Sequence, residues 1–384
     1  MSVYVRALAS ALARAGVECD VFVRRESAGT ADVIEVEPGF RVVHLDAGPA
    51  RPLTKHELYD LVDPMVEATI AIAERDGAYD LFHANYWLSG AVGHRLKHAL
   101  DKPLVATFHT LARVKADAGI DDDPELRSHV EHEIVACADL MLASTPAERN
   151  QLAQLYRADV GRIEIVPPGV DHELFHPVAP SARVAERTEL GLDSGPVLLF
   201  AGRIQPLKGA DLAVRALGEL DRADATLLIV GGPSGPDGAT ELEKLHALVD
   251  ELGLGHQVRF VPPQDHAALA RYYRAADVAL VPSHSESFGL VALEAAACGT
   301  PVVAAAVGGL CSLVDDGVTG YLVDSRDPVD YAAPIAMLLA DPRAAGAMGA
   351  RAEAASRRYG WSMTAARLRR LYSDLLATEP VSCR

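Results

Sequence analysis

Short apolar runs rich in Val, Ile and Leu alternate with amphipathic segments along the whole chain. In the first half, these runs occupy residues 17–23, 41–45, 80–84, 103–109, 139–144 and 162–168. In the second half, they occupy residues 195–202, 225–232, 257–263, 277–283, 301–305 and 320–324. Apolar strands separated by helical patterns are typical of parallel sheets that carry helices on both faces. The pattern therefore predicts an α/β protein with two doubly wound, Rossmann-like domains that face a common cleft.

The length supports two domains, because a single core rarely grows beyond about 250–300 residues and this chain has 384. We predict an N-terminal domain over residues 1–175, a second domain over residues 176–357 and a C-terminal helix within residues 358–384. The polar, proline-bearing residues 170–195 are predicted to be the linker.

The start of the first domain departs from this pattern. Val5, Leu8, Leu12 and Ala15 recur at helical spacing, and Gly16 follows them. The first predicted element is therefore a helix, whereas a doubly wound sheet normally begins with a strand. We expect the first strand of the N-terminal domain to be missing, either because the chain lacks it or because the true start lies upstream.

Composition and charge narrow the class of ligand. The formal charge of −17 argues against a nucleic-acid partner, because that binding depends on cations that neutralise phosphates. A few cations in one cleft can still hold anionic small molecules, so we expect small-molecule substrates and leave a homodimer open. The scattered cysteines lack C-x-x-C spacing, which predicts reduced thiols and a cytoplasmic location. No apolar run approaches the roughly 18 residues of a membrane span, so we do not expect an integral membrane protein.

The strand at residues 277–283 leads into S-E-S-F-G-L-V-A-L-E, in which Glu286 and Glu294 stand eight positions apart. A helix is predicted to begin after Gly289, and the unpaired amides at such a start favour anions. Glu286 precedes the helix and can point into the cleft, while Glu294 can accept hydrogen bonds from a sugar diol. The spacing alone is weak evidence among 53 acidic residues, and a solvated pair is the alternative.

Two loops of the second half also follow buried strands. In F-A-G-R-I-Q-P-L-K-G, Arg203 and Lys208 flank a proline turn and can clamp a diphosphate from two sides; ordinary surface charges are the alternative. The loop at residues 231–238 is rich in glycine, but Pro233 and Pro236 preclude the dinucleotide fingerprint G-x-G-x-x-G, which occurs nowhere in the chain. A nicotinamide enzyme is therefore disfavoured, and a plain surface loop remains the alternative there.

The first half of the chain contains one further candidate site residue and one metal motif that has a simpler explanation. His109 ends a predicted strand and should face the cleft, where its imidazole could bond a sugar or its backbone carbonyl could stabilise positive charge. A structural histidine is the alternative. Asp121-Asp122-Asp123 contains a D-x-D metal motif, but it precedes Pro124 at a helix start, so solvated helix capping explains it better.

Taken together, G-R-I-Q-P-L-K, V-G-G-P-S-G, S-E-S-F-G-L-V-A-L-E-A, C-G-T-P-V-V-A-A and D-G-V-T-G-Y-L-V-D resemble the family 4 retaining glycosyltransferases of the two-Rossmann, GT-B type. The resemblance covers essentially the whole chain. It implies that a UDP-sugar donor is bound by Gly202, Arg203, Lys208, Gly232, Glu286, Ser287, Phe288, Gly289, Leu290 and Glu294. It also implies that the residues active in catalysis are His109, Arg203, Lys208 and Glu286. In that fold, the C-terminal helix crosses back to brace the first domain.

Within the family, Y-W-L-S-G and H-T-L-A-R-V-K look like the branch that transfers N-acetylglucosamine to an inositol phosphate in mycothiol synthesis. The resemblance implies an acceptor site made of Ser2, Lys55, Tyr86, Thr110 and Arg127. Ser2 stands where that branch usually has asparagine, and the glycine loop that approaches the donor diphosphate is absent.

The resemblance also implies a mechanism with retention. The diphosphate leaves and the acceptor hydroxyl enters on the same face of the sugar, with the proton passing to a departing phosphate oxygen. No side-chain base, metal site or cofactor is required on this account, and stimulation by Mg²⁺ stays open.

Three alternatives remain at this stage. The same chemistry could serve another acceptor, such as fructose 6-phosphate, an aminocyclitol or a lipid-linked sugar. A UDP-sugar epimerase of similar shape would need acids or bases at the hexose, and the sequence offers no evident carboxylate pair beyond Glu286 and Glu294. A noncatalytic nucleotide-binding protein is the third.

Overall fold

The computed structural model describes residues 2–77, 79–117, 124–235 and 237–381 of the chain. The predicted capping run Asp121-Asp122-Asp123 lies outside these residues. The side chain of Ser2, predicted to touch the acceptor, also lies outside the described part.

Helices and strands alternate along the chain, as the apolar pattern predicts. The helices are α1 (Ser2–Arg14), α2 (Lys55–Tyr59), α3 (Val62–Asp76), α4 (Trp87–Leu100), α5 (Ala112–Asp117), α6 (Pro124–Cys137), α7 (Pro146–Tyr156), α8 (Pro180–Glu189), α9 (Ala210–Gly218), α10 (Gly238–Glu251), α11 (His266–Ala275), α12 (Leu290–Ala297), α13 (Leu310–Leu313), α14 (Pro328–Ala340), α15 (Pro342–Ser356) and α16 (Trp361–Leu376). The strands are β1 (Cys19–Arg24), β2 (Val33–Glu37), β3 (Phe40–Leu45), β4 (Phe82–Asn85), β5 (Leu104–Thr107), β6 (Leu140–Ala143), β7 (Ile163–Ile165), β8 (Val197–Ala201), β9 (Thr226–Val230), β10 (Val258–Val261), β11 (Val278–Val281), β12 (Val302–Ala305) and β13 (Gly320–Val323).

The chain divides into two compact units. The first unit comprises Met1–Gly169 together with Trp361–Arg384, and the second comprises Val170–Gly360. The last helix therefore belongs to the first unit, although the whole second unit separates it from that unit along the sequence.

One six-stranded parallel sheet, in the order β10-β9-β8-β11-β12-β13, forms the centre of the second unit. Its strands β8, β11 and β12 are fully buried, because helices cover both faces. After β8 the chain builds the sheet outwards through β9 and β10, and it returns to the other side of β8 for β11. Doubly wound sheets bind ligands at such a reversal, beside the carboxyl ends of the two central strands.

The strands of the first unit form two separate sheets. Parallel strands β4-β5-β6-β7 make one, and β1-β3-β2 make the other. Strand β2 is absent from the sequence-based prediction, because its mostly exposed residues lack the buried apolar pattern and it pairs antiparallel to β3. The fold class, an α/β protein with parallel sheets in two doubly wound units, is confirmed.

Helix α16 packs against α1 within the first unit. The ring of Trp361 meets that of Tyr4 edge to face, with 5.4 Å between their centroids. The buried side chains that these two helices share with the sheet are Tyr4, Leu8, Leu12, Val105, Leu140, Leu142, Val166, Ala365, Leu368 and Tyr372.

The predicted linker is wrong, because residues 170–195 belong to the second unit and contain α8. That helix buries none of its residues fully, which explains why its sequence resembles a linker. It is held by charge instead: Arg183 and Arg187 each place a guanidinium nitrogen 2.6 Å from the carboxylate of Asp277. The sequence cannot show this contact, since Asp277 lies about ninety positions further along.

The expectation of reduced cysteines is wrong for Cys137. Cys137 is disulfide-bonded, whereas Cys19, Cys298 and Cys311 are free. The last described residues of the chain lie close to Cys137, because the amide of Val381 donates a hydrogen bond to Asp139, two positions after Cys137. None of the helices in the described ranges combines the length and the apolar character that a membrane span requires.

Candidate functional site

The loop after β8 carries the predicted cations of the second unit. Pro206–Lys208 form a single 3₁₀ turn, which Gly209 ends in a left-handed conformation with φ of 68°. A side chain at Gly209 would collide with the carbonyl of Pro282, since its Cβ would lie 2.3 Å from that oxygen. The amide of His284 donates to the carbonyl of Leu207 over 2.8 Å. The turn is therefore fastened to the segment that follows β11.

This fastening brings Lys208 to Glu286. The Lys208 Nζ lies 2.6 Å from Oε2 of Glu286, and the two side chains are 19% and 18% exposed. The hydroxyl of Ser283 lies 3.4 Å from the same oxygen. Both residues follow the two central strands, at the reversal of the sheet. Lys208 keeps further N–H donors beyond the one it gives to Glu286, so it can hold a second anion there.

Helix α12 begins immediately after this pair. Its N-cap is Gly289, with φ of 105° and no side-chain cap, so the first amides of the helix are left uncapped by any side chain. A larger residue would not fit, because a Cβ at Gly289 would lie 2.7 Å from a methyl group of Leu310. Phe288, directly before Gly289, is buried. An uncapped helix start is suited to an anion, and the donor contacts expected of Ser287, Phe288, Gly289 and Leu290 stay a prediction.

Glu294 lies deeper than Glu286. Its side chain is buried, and its Oε2 accepts a hydrogen bond of 2.9 Å from the hydroxyl of Tyr273. Burial raises the pKa of Glu294 to about 7. The structure thus ties one carboxylate oxygen, Oε2, to the protein.

Two glycine loops pack against each other beside Lys208. A Cβ at Gly231 would lie 1.8 Å from the carbonyl oxygen of Gly202, and one at Gly232 would lie 2.9 Å from Pro263. The Ile204 amide donates to the carbonyl of Gly232 over 2.8 Å. Close backbone packing therefore requires glycine at position 231, and the ring of Pro263 leaves little room for a side chain at position 232. Arg203, next to Gly202, is exposed and makes no hydrogen bond or ion pair with any described residue.

In the first unit, two candidate residues have strained backbones. Four non-glycine residues of the described ranges have positive φ: Tyr86, Asp101, His109 and Arg157. Asp101 and Arg157 are ordinary C-caps of helices. Tyr86 (φ 81°) and His109 (φ 63°) have no such explanation, and backbone strain of this kind concentrates at functional sites.

His109 is held on two sides. Its Nε2 lies 2.9 Å from Oδ1 of Asn85, and the ring of Tyr4 meets its ring edge to face at 4.5 Å. Because the Asn85 oxygen can only accept, Nε2 carries the proton in this arrangement. Burial lowers the pKa of His109 to about 3, so the imidazole is neutral near pH 7. It can act as a hydrogen-bonding group but not as a cation.

Three of the five predicted acceptor residues come together. Arg127 Nη2 donates to the backbone carbonyl of Thr110 over 2.6 Å and to its hydroxyl over 3.0 Å. The guanidinium lies over the ring of Tyr86, 5.1 Å from its centroid. Lys55 is exposed and makes no such contact within the described part, although Tyr59 on the same helix stacks on Trp87 at 5.7 Å. Lys55 thus lies at the margin of this cluster.

The sequence did not indicate what holds Arg127. Its Nε donates over 2.8 Å to Glu131, whose side chain is fully buried. Glu131 also accepts from the Ala112 amide at 2.9 Å and from the hydroxyl of Tyr156. Burial raises the pKa of Glu131. The spacing of four positions between Arg127 and Glu131 on one helix is the signal that could have suggested the pair.

One group of potential metal ligands occurs among the described residues. Ligand atoms of His94, His98 and Cys137 lie within 4.8 Å of one another. Because the Cys137 sulfur is in a disulfide, it cannot serve there as a thiolate.

Two α/β units with parallel sheets are the architecture of GT-B glycosyltransferases, and the comparisons place the chain in this class. The family model for glycosyl transferases group 1 matches residues 183–355, and the model for a glycosyl transferase 4-like domain matches residues 1–169. The chain belongs to this glycosyltransferase family and is a glycosyltransferase enzyme.

Particular relatives cover nearly its whole length. It is 46% identical to the D-inositol 3-phosphate glycosyltransferase of Xylanimonas cellulosilytica, over 99% of this chain and 93% of the relative. It is 47% identical to the protein of the same name from Kineococcus radiotolerans, over 95% of this chain and 88% of the relative. Among solved structures, sucrose-phosphate synthase from Thermosynechococcus elongatus superimposes with a TM-score of 0.90 at 37% identity, covering 98% of this chain and 93% of that one.

Proposed function

We propose that the chain transfers a hexose, N-acetylglucosamine, from a UDP-sugar to an inositol phosphate, with retention of the anomeric configuration. The observation that carries the proposal is the arrangement at the reversal of the second sheet. There Lys208 meets Glu286 at 2.6 Å, directly before the uncapped start of α12. This is a place where the diphosphate of a nucleotide sugar can be held and its growing charge stabilised.

The acceptor is inferred from the first unit and from the relatives. Tyr86, Thr110 and Arg127 form one polar cluster. The relatives from Xylanimonas and Kineococcus are named for D-inositol 3-phosphate. A guanidinium and a hydroxyl are suited to phosphate, which supports a phosphorylated cyclitol. Lys55 would add a second cation from the margin of the cluster, and Ser2 remains a proposed contact with the cyclitol.

The chemistry follows from these groups. As the bond between sugar and diphosphate breaks, negative charge grows on the departing oxygen, where Lys208, Arg203 and the amides of α12 can stabilise it. One well-placed donor of this kind lowers the activation barrier by roughly 3–4 kcal/mol. The acceptor hydroxyl enters on the same face and gives its proton to a departing phosphate oxygen. Neutral His109 would hydrogen-bond the sugar, and Glu294 would accept from its hydroxyls through Oε1. No cofactor is needed on this account, and Mg²⁺ would act only as a stimulant.

A second candidate acceptor is a sugar phosphate, fructose 6-phosphate. It is favoured by the similarity to sucrose-phosphate synthase, at a TM-score of 0.90 and 37% identity. The donor chemistry would be the same.

The test is a transfer assay with UDP-N-acetylglucosamine and UDP-glucose against inositol 3-phosphate, inositol and fructose 6-phosphate. We expect transfer of N-acetylglucosamine to inositol 3-phosphate and an axial glycosidic bond by NMR, as in the donor. Preference for fructose 6-phosphate would select the second candidate. An inverted bond would exclude the mechanism, and conversion of the UDP-sugar without acceptor would indicate an epimerase.

A further inference from the structure

A cluster of two histidines and one cysteine lies where α4 packs against α6 in the first unit. Its members are His94 and His98 of α4 and Cys137, the last residue of α6. Their ligand atoms lie within 4.8 Å of one another, and Nε2 of His98 lies 3.3 Å from the Cys137 sulfur. The proposed transfer reaction uses none of the three residues.

The spacing along α4 places the two imidazoles on one face of the helix. Residues four positions apart are neighbours on a helix surface, and the ring centroids of His94 and His98 are 5.1 Å apart. A close approach of the two helices brings Cys137 to this face. Gly90, one turn before His94, permits the approach, because a Cβ at Gly90 would lie 2.5 Å from Cδ1 of Ile134 on α6. Ile134 lies within one turn of Cys137, so the same contact sets the distance from the sulfur to α4.

A buried lysine holds the end of α6 in this position. Lys97, between the two histidines on α4, is 4% exposed, and its Nζ donates to the carbonyl of Cys137 over 2.8 Å. The same Nζ lies 2.7 Å from the carboxylate of Asp139, which neutralises its charge. The backbone of Cys137 is therefore fixed against the helix that carries both imidazoles. Support of this kind keeps the ligands of a metal site in place.

The distances suit a zinc-like cation. Zinc binds a histidine nitrogen at about 2.0–2.1 Å and a thiolate sulfur at about 2.3 Å. With 3.3 Å between Nε2 of His98 and the Cys137 sulfur, an ion at both bond lengths would form an N–Zn–S angle of about 100°, close to the tetrahedral value. His94 is half-buried and His98 is exposed, so both side chains can rotate to complete the set. Nitrogen and sulfur ligands disfavour Mg²⁺ and Ca²⁺, which take oxygen.

Negative charge is available at the same place. Glu133, one turn before Cys137 on α6, interacts electrostatically with His94. Its side chain is half exposed and lies 3.4 Å from the exposed imidazole of His129. Two neutral imidazoles and one thiolate would leave a zinc ion with a net positive charge, which the carboxylate of Glu133 offsets. A solvent molecule can fill the fourth position, as in zinc sites with three protein ligands.

The oxidation state of Cys137 decides whether the ligand set is complete. Its sulfur is in a disulfide, and the thiolate is the form of cysteine that binds metals. A dithiol reductant restores the thiol: the disulfide takes up two electrons and two protons to give two thiols, and the reductant becomes a disulfide itself. The Cys137 thiol then loses its proton to solvent as the metal–sulfur bond forms.

We propose that His94, His98 and Cys137 form a thiol-dependent site for a zinc-like divalent cation, which binds when the disulfide of Cys137 is reduced. In the oxidised chain the sulfur is held by its disulfide. In the reduced chain the ion joins α4 to α6 and shields the thiolate from oxidation. The ion has no part in the proposed transfer of the sugar; the site links the first unit to the thiol–disulfide balance of its surroundings.

The test measures binding of Co²⁺ and Zn²⁺ to the full chain without any sugar substrate, so its outcome is separate from that of the transferase assay. The chain is prepared oxidised, and also reduced with a dithiol that is then removed under nitrogen. Co²⁺ is titrated while the absorption of the cobalt–thiolate bond is followed. The ligand variants are Cys137→Ser and His98→Asn. The matched controls are Cys311→Ser, which removes an exposed free thiol, and His246→Asn, which removes an exposed imidazole of α10.

We expect the reduced chain to bind a single Co²⁺ with a cobalt–thiolate band, and Zn²⁺ to displace it. The oxidised chain and both ligand variants should bind at least about tenfold more weakly, since the loss of even a supporting group costs roughly 10–100-fold in metal affinity. Zn²⁺ should also slow the alkylation of Cys137 by iodoacetamide at least about tenfold, with Cys311 as the unaffected reference. Mass spectrometry of the peptides measures this rate.

The exposed position of His98 keeps the proposal falsifiable if Cys137→Ser fails to fold, because His98→Asn retains the disulfide. Circular dichroism checks that each variant is folded. Equal affinity in the oxidised and reduced chains overturns the proposal, and so does a His98→Asn variant that binds as tightly as wild type. Alkylation of Cys137 that Zn²⁺ does not slow, or equal losses of binding in the two control variants, overturns it too.

Discussion

The two units each contain a cation paired with a glutamate, and the two pairs differ in burial. In the second unit, Lys208 and Glu286 lie 2.6 Å apart with side chains 19% and 18% exposed. In the first unit, Arg127 and Glu131 lie 2.8 Å apart with side chains 4% and 0% exposed. The Lys208–Glu286 pair lies at strand ends and is partly exposed, whereas the Arg127–Glu131 pair is almost fully buried in a hydrogen-bond network.

This difference in burial predicts which substitutions lower the stability of the fold and which lower catalytic turnover. Removing one partner of a fully buried ion pair leaves an uncompensated charge in a medium of low dielectric constant. A partly exposed pair is screened by solvent, so its loss costs little stability. Changes at Arg127 should therefore lower stability in addition to weakening acceptor binding, whereas changes at Lys208 should act mainly on turnover.

The largest expected effect is that of Arg127→Met. We expect the free energy of unfolding to fall by about 3–5 kcal/mol, because Glu131 is left buried and unpaired. Urea unfolding followed by circular dichroism measures it. The double variant Arg127→Met, Glu131→Gln is the control and should recover part of the loss. A single variant as stable as the wild type would show that the network does not support the fold.

Next in size is Lys208→Ala. We expect kcat to fall at least a hundredfold, as for the loss of one transition-state donor worth roughly 3–4 kcal/mol, while the urea midpoint stays unchanged. Lys244→Ala, which removes an exposed lysine from α10, is the matched control. Near wild-type turnover in Lys208→Ala would remove the donor-site assignment.

An effect of intermediate size is expected in the pH dependence of stability, and it comes from the buried carboxyl group of Glu148. Burial raises the pKa of Glu148 from its ordinary value of 4.5 to about 7. The folded protein then holds this proton to a higher pH than the unfolded chain does, so the contribution to stability is present below pH 4.5 and is lost as the pH rises through 7. Relative to wild type, Glu148→Gln should gain stability from pH 5 to pH 8, by at most about 1.4 kcal/mol per unit.

The comparison must be made as a difference between the two proteins. Burial lowers the pKa of His83 to about 4 and of His109 to about 3, so these residues favour the folded state increasingly as the pH rises to about 6.5. Their contribution cancels when variant and wild type are subtracted. A stability difference that is independent of pH would contradict the raised pKa of Glu148.

The smallest effect is expected at Lys55, which lies exposed at the margin of the acceptor cluster. Lys55→Ala should raise KM for inositol 3-phosphate about tenfold, the loss of one charge-assisted hydrogen bond. It should leave KM for unphosphorylated inositol unchanged. Lys102→Ala, in the turn after α4, is the control. An equal rise with both acceptors would mean that Lys55 does not contact the phosphate.

The sequence predicts the helices and strands of this protein better than it predicts the contacts between residues of different elements. The apolar runs identify β8 and β11, so the residues that follow them, Lys208 and Glu286, could be placed at one sheet edge in advance. Their direct contact could not, because it depends on a backbone bond between His284 and Leu207. Likewise, the strain at Tyr86 and the bond from Tyr273 to Glu294 arise from tertiary packing and leave no periodic signal.

The apolar pattern did not predict two elements, α8 in the predicted linker and strand β2. Helix α8 is held by ion pairs from two of its arginines to Asp277 and has no fully buried residue. Apolar periodicity therefore does not predict it. Strand β2 is largely exposed and antiparallel to its neighbour. In both cases the pattern is missing because the element is stabilised by charge or by backbone pairing rather than by apolar burial.

The central claim is that Lys208, Arg203 and the start of α12 receive the diphosphate of the donor. A crystal structure of the chain with bound UDP tests it most directly. We predict diphosphate oxygens within hydrogen-bond distance of Lys208 Nζ and of the first amides after Gly289. A nucleotide bound elsewhere on the second unit, with Lys208 still paired only to Glu286, would contradict the account.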